Sequence, residues 1–188
     1  NAVGSRSWPT TSYSPNTGMT YLALFESCMN MIPTSGRSLL TSSVTMAGAP
    51  HPAAADGFKA RLQALDIQGR TLRWAHEQAF PLTSSVLSTA GGLVFVGDLE
   101  PSLQAFDDVT GKRLWHTPLD NVPSSNIITY EVDGTQYLAV VAGASNLHHP
   151  GVMGDFRRYG DKEAVAAHKP IRGGTSIWVF ALNGGDSV

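Results

Sequence analysis

The 188-residue sequence predicts an all-β fold, a β-propeller fragment of about three four-stranded blades, and three observations carry that prediction. First, a short segment recurs in register. Leu62-Gln63-Ala64-Leu65-Asp66 returns as Leu103-Gln104-Ala105-Phe106-Asp107, and Trp74 returns as Trp115, both at an offset of 41 positions. A weaker third echo is Phe180-Ala181-Leu182-Asn183-Gly184. That period is the length of one four-stranded blade. Second, the periodic stretches are short, rich in β-branched and aromatic residues, and bounded by turn residues. Third, almost no stretch holds a helical period.

The elements follow in order. The chain reads as one partial propeller domain over 1–188: a first blade at 5–78 with an insertion at 28–56, a second at 79–119, and a third at 123–183 with an insertion at 147–172. In the first blade, strands are expected at 8–13, 19–25, 58–66 and 71–76, with a turn at Ser14-Pro15-Asn16-Thr17-Gly18. The second blade reads as an inner strand at 82–87, a Gly91-Gly92 turn, strands at 93–96 and 103–106, and an outer strand at 112–116. The third has strands at 127–132, 136–141 and 176–182 around an Asp133-Gly134 turn, and its outer strand is missing. The 28–56 insertion has no clear period and reads as an irregular surface excursion. The 147–172 insertion is expected to contain one or two helical turns over Asp161–Ala167. Insertions of this length in compact domains are usually lids or mobile segments.

Composition narrows the function classes. Charged residues make up 15% and the net charge is −2, so no basic field exists to hold nucleic acid or an anionic membrane surface. No apolar run approaches the roughly 18 residues of a membrane span, and the start lacks a signal-peptide pattern. The chain opens mid-pattern without a methionine, which suggests a piece of a longer protein. The single cysteine, Cys28, excludes an intrachain disulfide and reads as a small buried hydrophobe. His148, His149 and His168 lack metal-ligand spacing and read as a solvated loop. Asp98-Leu99-Glu100 reads as a polar turn between strands, and the Asp155, Arg157, Arg158 and Asp161-Lys162-Glu163 charges as ordinary surface.

Around Trp115 the pattern is Ala105-x-Asp107-x-x-Thr110-Gly111-Lys112-x-x-Trp115. Ala fits where blades press together, Asp107 and Thr110 can bond turn backbone, Gly111 permits positive φ, and the indole covers a neighbouring blade. The first copy departs from this, with Gly69-Arg70 where Thr-Gly is expected. The pattern resembles the tryptophan-docking motif of the eight-bladed quinoprotein dehydrogenases, which use pyrroloquinoline quinone (PQQ). Further segments resemble that family in order: Trp8-Pro9 with Tyr13-Ser14-Pro15-x-Thr17-Gly18-x-x-Tyr21, Leu87 to Leu99, Ile128-Thr129-Tyr130-Glu131-x-Asp133-Gly134-x-Gln136-Tyr137, and Gly173-Gly174.

The resemblance implies the C-terminal portion of a PQQ-dependent alcohol dehydrogenase, working in the periplasm on a small alcohol. It also implies that the catalytic base and the calcium ligands lie in blades outside this chain, so no catalytic or metal-binding residue is assigned here. Three places correspond to the family's cofactor wall: Ser7-Trp8, Thr83-Ser84 and Asn146-Leu147. Each departs from the family's pattern. Ser7 stands for Asn, Thr83-Ser84-Ser85 for Trp-Gly-Gly, and Ala144-Ser145-Asn146-Leu147 for a Gly-rich stretch ending in Trp. The partners implied are the remaining blades or a larger subunit, and an isolated fragment is expected to be inactive and to self-associate through its exposed blade faces. Two rival readings stay open. One is a non-catalytic propeller scaffold, like those of bacterial outer-membrane assembly, and the other is a natural small subunit. Without a Cys-x-x-Cys-His run, this stretch carries no c-type haem site.

Overall fold

A computed structural model describes residues 9–26, 29–37, 44–50, 59–143, 149–168 and 174–181. Three antiparallel sheets follow one another along the chain. The first contains β1 (Ser12–Ser14), β2 (Met19–Glu26), β5 (Lys59–Asp66) and β6 (Thr71–Gln78), ordered β1-β2-β5-β6. The second contains β7 (Leu87–Ser88), β8 (Leu93–Asp98), β9 (Ser102–Asp107) and β10 (Arg113–Pro118) as a simple meander. The third holds β11 (Pro123–Val132), β12 (Thr135–Ala142) and β13 (Ser176–Ala181), with β13 at its edge.

The alternation of side chains along β8 explains the stacking, because successive residues of a strand face opposite ways. Val94 and Val96 pack with Phe106 against Met19, Tyr21, Leu62 and Ala64 of the first sheet. Phe95, between them, packs with Leu103 and Ala105 against Ile127, Leu138 and Val140 of the third. Both faces of the second sheet are therefore buried, as the middle layer of a stack requires. The far face of the third sheet carries Ile128, Tyr130, Val132, Ile177 and Val179, all exposed, and Tyr130 stacks on Tyr137 with ring centroids 5.3 Å apart.

Three expectations are corrected. The 28–56 insertion is not irregular throughout, since β3 (Met29–Arg37) and β4 (Val44–Pro50) pair antiparallel with Met29 opposite Pro50. Pairing with each other, rather than an apolar period, satisfies their backbones, so no burial pattern announced them. In the second insertion the helical turns expected at Asp161–Ala167 form as α2 (Lys162–Ala167), but a longer helix that was not expected, α1 (His149–Tyr159), precedes them. Asp161 caps α2 by accepting from the amides of Glu163 and Ala164 at 3.0 and 2.9 Å, a standard way to satisfy free first-turn donors. Met153, Phe156 and Ala164 of these helices cover Phe25, Leu99 and Val122 at one end of the sheets. Finally, the inner strand expected at 82–87 is regular only at Leu87–Ser88, with a single bridge from Leu82 to Asp98.

The junction between the first two sheets centres on one peptide. The Asp108 carbonyl accepts both the Trp74 indole N–H at 3.0 Å and the Tyr21 hydroxyl at 3.1 Å. The turn presenting it is shaped by Asp107, whose Oδ1 accepts from the Thr110 amide and hydroxyl, each at 2.7 Å. Gly111 has φ +70, and a Cβ there would stand 2.6 Å from the Trp74 ring. The first sheet makes the same turn without glycine at that place: Asp66 accepts from the Gly69 amide at 2.8 Å, and Arg70 adopts φ +50. The departure at Gly69-Arg70 thus changes the residues while preserving the turn. Replacing Gly111 with Ala is expected to destabilise the chain by about 2–4 kcal/mol through backbone strain and a displaced indole. Arg70→Gly, relieving strain at a position with φ +50, is expected to gain about 0.5–1 kcal/mol. Urea unfolding midpoints of the two variants check this contrast.

Candidate functional site

The first strands of the three sheets converge, and short hydroxyl side chains knit them together. The Val86 amide donates to the Thr10 carbonyl at 3.0 Å, and the Ser88 amide to Ser12 Oγ at 2.9 Å. On the other side, Thr83 Oγ1 donates to the Pro123 carbonyl at 2.7 Å. The Ile127 amide donates to Ser85 Oγ at 2.9 Å, and the Ser85 amide to the Ser125 carbonyl at 3.2 Å. Ser84 is fully buried; its hydroxyl accepts from the Gly97 amide at 2.7 Å and donates to the Ser85 carbonyl at 2.8 Å. Ser124 and Ser125 direct their hydroxyls to the Gly143 and Val141 carbonyls. A Cβ on Gly97 would run into the Pro123 ring, so glycine is what allows the second and third sheets to approach this closely. Residues 83–85 divide their bonds between two sheets: the Thr83 amide donates to the Gly97 carbonyl at 2.9 Å and Ser84 holds Gly97 within their own sheet, while Thr83 Oγ1 and Ser85 reach the next.

Of the six positions assigned to a cofactor wall, Thr83 and Ser84 can be placed, and both lie in this seam. Ser7, Trp8, Asn146 and Leu147 lie outside the described residues, as do Cys28 and His148. The seam bears on whether a quinone fits. An acceptor-rich quinone calls for free donors, whereas the Thr83 hydroxyl proton is committed to Pro123 and the Ser84 oxygen both donates and accepts within the protein. These two side chains do not fit as quinone ligands, and the described residues alone do not complete such a site. Nor do the described residues contain a cluster of three His, Cys, Asp or Glu able to hold a metal ion, and they include no helix long and apolar enough to cross a membrane.

A second polar cluster lies where the first and second sheets meet. Asp98 is 2% exposed. Its Oδ2 accepts from Gln104 at 2.6 Å and Gln78 at 3.1 Å, and its Oδ1 from the Ser102 hydroxyl at 2.7 Å and the Glu100 amide at 3.1 Å. Gln104 also donates to Gln78 Oε1 at 3.1 Å. Burial outweighs these hydrogen bonds and pushes the carboxyl up to about 6. Asp98 ends β8 and the expected turn follows it at Leu99 and Glu100, but its burial was not legible in that motif. The available signal was Gln104, a polar residue set between Leu103 and Ala105-Phe106 in β9.

The three described tryptophans act as packing groups. Trp74 packs on the first core cluster. Trp178 stacks on Phe180 at 6.0 Å and donates to Asp120 Oδ1 at 2.8 Å, while Trp115 meets Phe180 edge-on at 5.4 Å. Trp115 and Phe180 also line an apolar cleft of about 410 Å³ between the second and third sheets, with Leu93, Phe95, Leu114 and Leu138.

Stacked antiparallel sheets with convergent first strands define a segment of a β-propeller. Residues 56–138 match the PQQ family described as the glucose/ethanol/alcohol dehydrogenase β-propeller domain. It is 32% identical to the 1-butanol dehydrogenase (cytochrome c) of Thauera butanivorans over 94% of this chain and 25% of that protein. With the quinoprotein ethanol dehydrogenase of Pseudomonas aeruginosa it shares 30% identity over 98% of this chain and 28% of that one. Among solved structures, a europium-containing methanol dehydrogenase superposes with a TM-score of 0.75 at 24% identity, covering 97% of this chain and 34% of the other. The quinohemoprotein alcohol dehydrogenase of Comamonas testosteroni gives 0.73 at 23% identity, over 98% and 27%. The chain thus spans about a quarter to a third of the length of these relatives.

The Asp98 carboxyl makes stability depend on pH in a defined direction. The folded chain holds this proton where the unfolded chain has released it, so Asp98 favours the fold increasingly as pH falls from about 6 towards 4. The gain is at most about 3 kcal/mol. Chemical denaturation from pH 7 to 4, compared with Asp98→Asn, is expected to show the wild-type chain gaining relative to the variant as pH falls.

Proposed function

We propose that the chain is the C-terminal segment of a quinoprotein dehydrogenase that oxidises small alcohols by hydride transfer to PQQ. The observation that carries this reading is 30–32% identity to dehydrogenases over nearly the whole chain, including both sides of the convergent-strand seam. In the whole protein the quinone would supply the hydride acceptor, and a calcium ion would be held by residues outside this chain. The role of this segment is to close part of the ring. Thr83 and Ser85 fix the spacing of the inner strands, and the contacts to the quinone come from the rest of the wall. The setting proposed is the periplasm, as the family resemblance implies.

A second reading is favoured by one observation. The described hydroxyls at the convergent strands are turned into protein contacts, which suits a non-catalytic propeller scaffold. A titration of the full-length parent with PQQ separates the two, since a dehydrogenase binds it and a scaffold does not.

The partner proposed for the exposed far face of the third sheet and the edge of β13 is the remainder of the propeller. Ile128, Tyr130, Val132, Ile177 and Val179 form an apolar surface of the kind that marks an interface, and an edge strand offers unpaired backbone groups.

Two outcomes are expected of the isolated 188-residue chain. Supplied with PQQ, calcium, an alcohol and an artificial electron acceptor, it reduces no acceptor above the blank; alcohol-dependent reduction would overturn the reading of this segment as incomplete. In light scattering it is heavier than its 20.0 kDa monomer, and the double replacement Ile177→Lys with Val179→Lys shifts it towards monomer. A strictly monomeric wild-type chain at high concentration would contradict the open-face picture.

A further inference from the structure

The helical insertion rests on a small aromatic seat. Phe80, in the linker joining the first sheet to the second, has its ring centroid 5.4 Å from that of Phe156 on α1. His168, which ends α2, completes the triangle at 5.8 Å from Phe156, edge-on, and 6.5 Å from Phe80. Both its ring nitrogens are shut off from solvent and have no hydrogen-bond partner among the described residues. An imidazole placed so is tolerable only while neutral, because a buried charge without an acceptor is far costlier than a buried neutral ring.

The groups facing His168 do not relieve this. On α1 the charged residues are Asp155, Arg157 and Arg158, and the positive field of Arg157 adds to burial in holding the imidazole below its ordinary range. On α2, Lys162 and Glu163 are exposed at the opposite end of the helix, near the capping Asp161. The linker residues Ala79 to Leu82 carry no ionisable group. Beneath the linker lies the Asp98 cluster, because Gln78 Nε2 donates both to the Phe80 carbonyl at 2.8 Å and to Asp98 Oδ2 at 3.1 Å. The Leu99 amide donates to the Pro81 carbonyl at 2.9 Å.

We propose that the α1–α2 insertion is an acid-released cap, with His168 as its trigger and the Gln78–Leu82 linker as the seat it leaves. A seated imidazole resists a proton that a released one accepts, so the released state gains as pH falls through the ordinary imidazole range. Asp98 responds in the opposite sense, since its protonation favours the folded junction. At the sheet junction this gain opposes the cost at His76, whose imidazole, packed on Phe106, is likewise held below its ordinary range by burial and by Arg113, so acid acts in one direction only at the cap. The cap covers Phe25, Leu99 and Val122, so its release exposes an apolar surface at one end of the propeller segment.

Hydrogen–deuterium exchange on the 188-residue chain, corrected for the intrinsic pH dependence of exchange, tests this. Between pH 7.5 and 5, amides of α1 and α2 are expected to lose protection about tenfold, while β8 and β9 keep theirs. His168→Leu, which keeps an apolar group on the seat, should leave cap protection equal at both pH values. Unchanged cap protection in the wild type, or an equal acid loss in His168→Leu, overturns the proposal. Should that variant not fold, an NMR titration of the wild-type His168 ring decides instead. A ring titrating below its ordinary value together with the α1 and α2 amides supports release, and one titrating while those amides stay still refutes it.

Discussion

The arrangement of this chain depends on the carbonyl of Asp108, which takes two hydrogen bonds from the sheet before its own. Apolar faces bring sheets together without fixing their angle, because the hydrophobic effect has no direction. Two donors on one acceptor do fix it. The Trp74 indole and the Tyr21 hydroxyl arrive from different strands of the first sheet, so the second sheet can neither slide nor rotate without breaking one of them. Asp107 and Gly111 exist in this context to hold that carbonyl outward and to clear room for the indole.

The same logic recurs elsewhere at the junctions. Hydroxyls of Thr83, Ser85 and Ser12 set the distance between the convergent first strands, and the amides of Gln78 and Gln104 meet on Asp98 where the first two sheets join. Between these polar points lies undirected packing by Val94, Val96, Phe95 and their neighbours. The construction has a chemical consequence: a hydroxyl whose proton goes to a backbone carbonyl, as that of Thr83 goes to Pro123, has none left to donate to a ligand. The inner strands described here spend their hydroxyl protons on contacts within and between the sheets.

Much of the fold was legible because it rests on local rules. The 41-residue recurrence, the Asp107-to-Gly111 turn and the alternation along Leu93–Asp98 each reflect a constraint acting within a few residues. The β3–β4 pair and α1 were not legible, since neither shows a strong period: one is satisfied by mutual backbone pairing and the other buries only a few residues, such as Met153 and Phe156. For the candidate site, the sequence marked Thr83 and Ser84 as part of a wall but could not say which way their hydroxyls point. That depends on Pro123 and Gly97, which lie 40 and 13 residues away in the chain.

By itself, then, the sequence determined the class of the fold, the repeating unit and the family resemblance, because strand period, turn chemistry and recurring motifs are written in neighbouring residues. Only the tertiary structure decided the state of individual polar groups. Asp98 reads as one more turn carboxylate until the two glutamines and the surrounding sheets remove it from water, and His168 reads as a loop histidine until Phe80 and Phe156 enclose it. Desolvation is a property of what surrounds a group, and those surroundings are assembled from distant parts of the chain.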